Sequence, residues 1–418
     1  MLTIRFFGDH MKKIVIEGGR RLSGEVKVSG SKNAVLPIIF SCILINGVSE
    51  IENVPDIGDV YVALQILSFL GADIKTEGEK TFIDTKNLTY REPPNNLVQG
   101  IRASTYLLGS CLSKFGRCSI MHFGGCNFSH RPIDMHISAA LSFGATLEDG
   151  VLVADKLHPA EISFKKASVG ATVNAILMAA GIEGRSVLRG CAIEPHIDAL
   201  IEFLNSAGAS IVRNGREIII DGSRLNNGKI KIIGDMIEAG SYLALGALCG
   251  DVSVTNAPIG DMTSIISAFS DMGTTIEKKA PCRLTPKVAS PRKAKLIADP
   301  YPDFPTDLQP IFAPLMACLS GGEIIDNVWR DRFGYLSTLS AFGVEYRHQG
   351  NHALIMPSRI QSATVSAPDL RGGMAALICA LVTNGRSVIY SADTILRGYE
   401  KLEEKLSAIG ADIKIEDY

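Results

Sequence analysis

The stretch Gly124-Gly125-Cys126-Asn127-Phe128-Ser129-His130-Arg131-Pro132 holds the most reactive combination of side chains in the chain. Two glycines, a run of polar residues and Arg-Pro describe an exposed loop ahead of a helix that starts near Ile133 or Asp134. Arg131 and His130 would lower the pKa of the Cys126 thiol and favour the thiolate, its reactive form. A Gly-rich loop beside a site is also a common way to exclude water from it. Read alone, the loop also allows an incidental surface cysteine.

A second pattern lies at the starts of very apolar helices. A helix N-terminus carries partial positive charge and free N–H groups, so acidic or hydroxyl side chains belong there. Lys32, Arg102 and Arg371 occupy such starts instead, each at a cost of roughly 0.3–1 kcal/mol. Such a cation makes sense if a substrate anion joins it, since phosphate and carboxylate bind helix N-termini. The plainer reading is pairing with a nearby carboxylate. Asp235, Asp307 and Asp369 open other helices, where aspartate is a preferred cap. Asp307 is the exception favoured as a general base, because Thr306 beside it is able to serve as the cap. Ser168-Val169-Gly170-Ala171-Thr172 is a small-residue helix start whose N–H groups suit a phosphate.

Six repeats must position these groups. A hydrophobic residue, a glycine and a strand-like run close a helical stretch at Gly71, Gly144, Gly208, Gly273, Gly343 and Gly410, roughly every 65 to 73 residues. A glycine there suits the left-handed position that ends a helix. Each repeat also holds a second helix, starting near Ser31, Ile101, Ala167, Gly234, Pro305 and Asp369, that is apolar on every side and therefore buried. The helices ending at the glycines are amphipathic, the last predicted over 397–409. Short strands join them, as at Lys13-Ile14-Val15-Ile16, 24–28 and 217–221. The pattern predicts an α/β fold with central buried helices, in two three-repeat domains separated by a cleft.

With 418 residues, 46% hydrophobic and 21% charged, the chain has enough core for two domains. A net charge of −2 recommends neither nucleic acid nor an anionic membrane as partner. The longest apolar run, 34–48, is too short and too polar for a membrane span. Residues 1–10 lack a signal-peptide h-region and read as an extension or alternative start. Nine cysteines without a framework spacing suit a reduced, cytoplasmic protein. The eight histidines lack metal-ligand spacing, and neither a phosphate loop nor a dinucleotide fingerprint is found, so the expectation is no metal and no cofactor.

The chain resembles the enolpyruvyl transferase family. The resemblance is carried by Ser29-Gly30-Ser31-Lys32-Asn33-Ala34, Gly124-Gly125-Cys126 with Arg131-Pro132-Ile133-Asp134-Met135-His136, 168–172, Phe304-Pro305-Thr306-Asp307, Asp331-Arg332-Phe333, Asp369-Leu370-Arg371 and Arg397-Gly398-Tyr399-Glu400. It runs from about Met11 to the C-terminus, and the cysteine loop is similar to that of the members acting on a UDP-sugar. It implies two inside-out α/β barrel domains of three repeated units each, one discontinuous, with 1–31 joining 235–418 and 32–234 inserted. It implies that phosphoenolpyruvate, a co-substrate rather than a cofactor, and UDP-N-acetylglucosamine give an enolpyruvyl ether and phosphate. Asp307 would then take the sugar 3-hydroxyl proton, and Cys126 would protonate the methylene carbon or carry a phospholactoyl adduct. Lys32, Arg131 and Arg397 would hold phosphate and carboxylate, with Arg102 and Arg371 completing the basic cluster. Asn33, Arg131, Pro132, Ile133, Asp134, Met135, Ser168, Val169, Gly170, Val328, Arg332 and Asp369 would complete substrate binding.

The chain departs from the family pattern at Thr394-Ile395-Leu396, where His-Ile-Asp is usual. It also departs at Met236, at Arg330 and at the loop tip Phe128-Ser129-His130. These positions bear on the acceptor, so two other readings stand beside the first. One is an enolpyruvyl transferase using another uridine nucleotide; the other is a non-catalytic paralogue that binds a UDP-sugar. Retention of Lys32, Cys126, Asp307 and Arg397 speaks against the last.

Overall fold

Six buried helices organise the structure, a computed structural model that describes residues 11–121, 123, 132–279 and 283–418. They are α1 (Lys32–Ser41), α2 (Leu107–Phe115), α3 (Val169–Ala180), α4 (Met236–Cys249), α5 (Gln309–Cys318) and α6 (Leu370–Val382). The bodies of these helices are apolar on most sides, and the hydrophobic effect leaves such helices no stable place but the interior. Of them, α2 is buried over its first six residues and reaches solvent at Lys114. Short 3₁₀ turns, Arg102–Tyr106 and Thr306–Leu308, lead into α2 and α5.

The second helix of each repeat ends at its glycine, and all six glycines are left-handed, with φ of +107° at Gly71, +95° at Gly144, +108° at Gly208, +79° at Gly273, +88° at Gly343 and +97° at Gly410. Only glycine adopts that conformation without a Cβ penalty. The chain then turns into a strand, for example Asp73–Glu77 or Asp412–Asp417. The last helix is shorter than predicted. A single helical turn (Asp393–Leu396) and a helix over Leu402–Ala408 replace the stretch 397–409. Between them the chain turns through Gly398 and through Lys401, whose φ is +46°. This turn lets Tyr399 enter the core, where its hydroxyl meets Ser241 Oγ at 2.8 Å.

Among the described residues five sheets have four strands and share one plan, a parallel edge strand beside three antiparallel ones. Thus Ala294–Ala298 runs parallel to Gly322–Asp326, which pairs antiparallel with His352–Ile355, itself paired with Tyr346–Gln349. The sixth sheet, Arg117–Ser119, Val151–Val153 and Thr146–Glu148, lacks the parallel edge. The segment that would supply it contains Pro93 and Pro94, which have no N–H to give a ladder.

The described residues form two compact units, one of 30–233 and one of 11–29 with 234–418. In the first, α1, α2 and α3 pack in one hydrophobic core beneath three sheets; in the second, α4, α5 and α6 do the same. Each unit is an inside-out α/β barrel, with helices in the middle and sheets outside.

The chain passes between units after Ser29 and after Ile233, by the same device each time. Leu22–Lys27 lies parallel to Gly250–Thr255 in the second unit, and Lys229–Lys231 lies parallel to Val48–Glu52 in the first. Asn53 and Asn256 both have φ of +59°. Their side-chain amides donate to Ile232 O at 2.8 Å and to Val28 O at 2.9 Å, each inside its own unit. A Cβ at Gly30 would lie 1.9 Å from Asn53 O, and one at Gly234 would lie 2.0 Å from Asn256 O. Both crossing points are therefore restricted to glycine.

Candidate active site

The sequence-predicted site residues fall on both units, and each group is described on its own unit. In the first, Lys32 is the first residue of α1, and its Nζ lies 2.7 Å from Asp59 Oδ2. Asp59 sits in the first turn of the helix Gly58–Phe69 and is buried. The cation at the start of α1 thus has a carboxylate partner, as the plainer reading required. The pairing holds the ammonium near the helix N-terminus, with the side chain still 15% exposed. Asn33 follows it in the same turn.

Three more predicted segments of this unit converge on His136. Asp134 begins the helix Asp134–Ser142, with Pro132 exposed and Ile133 and Met135 half-buried around it. His136 is buried, its Nδ1 has no hydrogen-bond partner among the described residues, and its ring lies against the start of α3. A Cβ at Gly170 would sit 2.5 Å from His136 Nε2, so a side chain there would push the ring away. Burial, and then the neighbouring Arg102 cation, push the imidazole down to about 4 against the opposing pull of Asp134. Ser168 caps α3, its Oγ accepting from Ala171 N–H at 3.3 Å, and Val169 and Gly170 are half-buried behind it. Cys126 and Arg131 lie outside the described residues.

In the second unit the aspartates at helix starts divide by use. Asp235 Oδ1 accepts from the N–H groups of Ile237 and Glu238, and Asp369 Oδ1 from those of Arg371 and Gly372. Both are caps. Asp307 instead meets two guanidinium groups. Arg332 Nη1 donates to its Oδ1 at 2.7 Å and Arg371 Nη2 to its Oδ2 at 3.2 Å. Both arginine side chains are 3% exposed, against 27% for Asp307. Charges of opposite sign held out of water and hydrogen-bonded make strong, oriented contacts. Thr306 is not the cap that the sequence suggested. Its hydroxyl donates to Asp326 Oδ2 at 2.6 Å, and no side chain among the described residues caps the 3₁₀ turn. Asp307 is excused from capping because two arginines claim it.

Around this centre, the Arg371 guanidinium lies 5.4 Å from the ring centroid of Tyr399, a cation–π distance. Arg397 is half-buried at the start of the turn that carries Tyr399, and Val328 stands two residues beyond Asp326. Among the described residues no group of three or more His, Cys, Asp or Glu side chains is placed to hold a metal.

The family sequence profile described as EPSP synthase (3-phosphoshikimate 1-carboxyvinyltransferase) matches residues 16–406. The chain belongs to the EPSP synthase family. It is 39% identical over 412 residues to "UDP-N-acetylglucosamine 1-carboxyvinyltransferase 3" of Caldanaerobacter subterraneus subsp. tengcongensis, covering 96% of this chain and 99% of that protein. It is also 39% identical to the UDP-N-acetylglucosamine 1-carboxyvinyltransferase of Halothermothrix orenii, covering 97% and 99%. Among solved structures, the enolpyruvyl transferase NikO from Streptomyces tendae matches with a TM-score of 0.87 and 25% identity, over 98% of this chain and 100% of that one. An EPSP synthase from Acinetobacter baumannii shares the fold at a TM-score of 0.73 and 17% identity, over 97% and 100%.

Within this EPSP synthase family chain, sequence reasoning missed Asp59, Asp326 and Tyr399 as site-building residues. Asp326 had one visible signal, an acidic residue closing the apolar run Ile324-Ile325. Tyr399 stood in Arg397-Gly398-Tyr399-Glu400, one of the runs that carry the family resemblance, but nothing in that run showed its packing against Arg371 and Ser241. Asp59 had no signal, because its partner Lys32 lies in another segment of the chain.

Proposed function

We propose that the protein is a UDP-N-acetylglucosamine 1-carboxyvinyltransferase, making the first committed intermediate of peptidoglycan precursors in the cytoplasm. The observation that carries this reading is Asp307, the aspartate at a helix start that two buried arginines hold instead of a helix. A carboxylate so oriented is a general base with a fixed direction of attack. The relatives at 39% identity over nearly the whole chain support the acceptor.

In the reaction the 3-hydroxyl oxygen of the sugar bonds to C2 of phosphoenolpyruvate while Asp307 takes the hydroxyl proton. Cys126 delivers a proton to C3, turning the methylene into a methyl group and giving a tetrahedral phospholactoyl ether. Loss of a C3 proton and of phosphate from C2 restores the double bond and leaves the enolpyruvyl ether. Lys32, Arg131 and Arg397 would balance the charge of phosphate and carboxylate, where preorganised cations lower the cost of developing charge. The scheme needs no cofactor and no metal.

The test is phosphate release from phosphoenolpyruvate with UDP-N-acetylglucosamine, then with other uridine nucleotides. Release with the amino sugar is expected. Release only with another uridine nucleotide reassigns the acceptor, and UDP-sugar binding without release identifies a non-catalytic binder. Alkylation of Cys126 by fosfomycin in the presence of UDP-sugar, read as a mass increase, is the expected sign of the reactive thiol.

A further inference from the structure

Asp326 closes the strand Gly322–Asp326 and is fully buried. Five other strands hold the equivalent place after a buried helix, and they end on Glu52, Ser119, Arg189, Thr255 and Tyr390. None of those five residues is buried. The fifth repeat therefore breaks the pattern by placing a carboxylate in the interior, which costs energy unless every lone pair is used.

The two oxygens of Asp326 are spent in different directions. Oδ1 accepts from Val328 N–H at 2.9 Å and Trp329 N–H at 2.8 Å, fixing the turn after the strand. Oδ2 accepts from Thr306 Oγ1 at 2.6 Å and from Gln309 Nε2 at 3.5 Å. Thr306 Oγ1 in turn accepts from Arg332 Nη1 at 3.1 Å, and that same nitrogen donates to Asp307 Oδ1 at 2.7 Å. Gln309 closes the circuit by donating to Arg332 O at 3.1 Å, with its own Oε1 accepting from the Tyr335 hydroxyl at 2.5 Å. A simple turn-capping aspartate needs only the first pair of bonds. The second pair reaches the residue adjoining the base and the arginine that aims it.

We propose that Asp326 is a positioning residue that sets the base Asp307 and the acceptor-binding turn at Val328 in register through one buried carboxylate. The inference rests on the proposed function for the roles of Asp307 and Val328. Its mechanical content is that proton removal and acceptor placement share one anchor, whereas Lys32, on the phosphate side, is anchored separately by Asp59.

The test compares three full-length variants by steady-state kinetics, with thermal unfolding as a control. Asp326→Asn keeps an oxygen for the turn but turns an N–H₂ toward the Gln309 amide or the Thr306 hydroxyl. It should lower kcat about 10- to 100-fold and raise the acceptor KM several-fold, with the phosphoenolpyruvate KM unchanged within about twofold. Thr306→Val cuts only the branch to the base, so kcat should fall about tenfold or more with acceptor KM unchanged. Thr306→Ser restores the hydroxyl and should restore kcat. If Asp326→Asn does not fold, the two Thr306 variants decide the matter. Wild-type kcat in Thr306→Val overturns the proposal, as does an Asp326→Asn enzyme that is less stable but kinetically unaltered. Failure of the wild-type enzyme to turn over the amino sugar would instead reject the acceptor assignment. The same comparison would then be run with whichever uridine nucleotide releases phosphate.

Discussion

Arg371 Nη2 donates to Asp307 Oδ2 at 3.2 Å although the two residues open different repeats, 64 positions apart in sequence. The cation that stands wrongly charged at the start of α6 is there to hold a carboxylate from the start of α5. Replacing Asp307 by Asn keeps the shape and removes the basicity. With Asp307→Asn, kcat should fall about 100- to 10,000-fold, the usual worth of a general base. UDP-sugar affinity by calorimetry should change only a few-fold. Loss of nucleotide binding together with turnover would show that Asp307 holds the acceptor rather than deprotonating it.

A second ionic cluster lies in the same unit, beside the chain crossing. Lys405 Nζ donates to Glu238 Oε1 at 2.7 Å and to Ser29 Oγ at 2.5 Å, and Glu238 Oε2 accepts from Ser29 N–H at 2.8 Å. Ser29 Oγ also donates to Glu400. Removing one partner of a buried pair leaves the other charge uncompensated, at about 3–5 kcal/mol. Lys405→Met should therefore destabilise the protein by about 3 kcal/mol in urea unfolding, with part of the loss recovered when Glu238→Gln is added. A single-variant loss under about 1 kcal/mol, or strictly additive losses, would mean that the cluster contributes little.

Much of this fold was legible because it is periodic. The six glycines, the six mostly apolar helices and the strands after them follow from local rules, and each left-handed φ obeys a purely local constraint. The site was legible only where residue type defied position. Lys32 and Arg371 stood out as cations at positive helix ends, and Asp307 as an aspartate with a threonine beside it, whereas the pairings of Lys32 with Asp59 and of Arg371 with Asp307 emerge only from tertiary packing. The same limit hid the break at 397–401. Helical periodicity runs through that stretch, yet the pull of Tyr399 into the core against Arg371 and Ser241 overrides it. A cap at Thr306 was equally plausible locally, until Asp326 arrived from another strand.

The repeated glycines differ in what surrounds them, and that difference is testable. Gly410 has φ of +97° and nothing within 4 Å of where a methyl group would stand, whereas at Gly273, with φ of +79°, the methyl would sit 1.8 Å from Ser290 O. Gly410→Ala should cost only the left-handed penalty, about 1–2 kcal/mol. Gly273→Ala adds a backbone collision and should cost clearly more, with Tm by calorimetry separating the two. Equal losses at both sites would show that backbone conformation alone sets the cost.

His136 makes stability depend on pH in a direction that can be worked out. Its folded-state value, about 4, lies below the ordinary 6.5, so between those values the unfolded chain binds a proton that the folded protein refuses. Proton uptake by the unfolded state means that stability is fully present above pH 6.5 and is lost as pH falls toward 4. The size is on the order of 3 kcal/mol, from the roughly 1.36 kcal/mol carried by each pH unit of difference. Other groups titrate in the same range, so the quantity to measure is the stability gap between wild type and His136→Gln, by urea unfolding at about pH 7.5 and about pH 4.5. Glutamine keeps a polar side chain beside Gly170 and cannot be protonated. The gap should shift in favour of the variant by roughly 2–3 kcal/mol on acidification. A gap that stays constant would mean that the imidazole accepts its proton in the folded state, and that burial against the start of α3 does not exclude the charged ring.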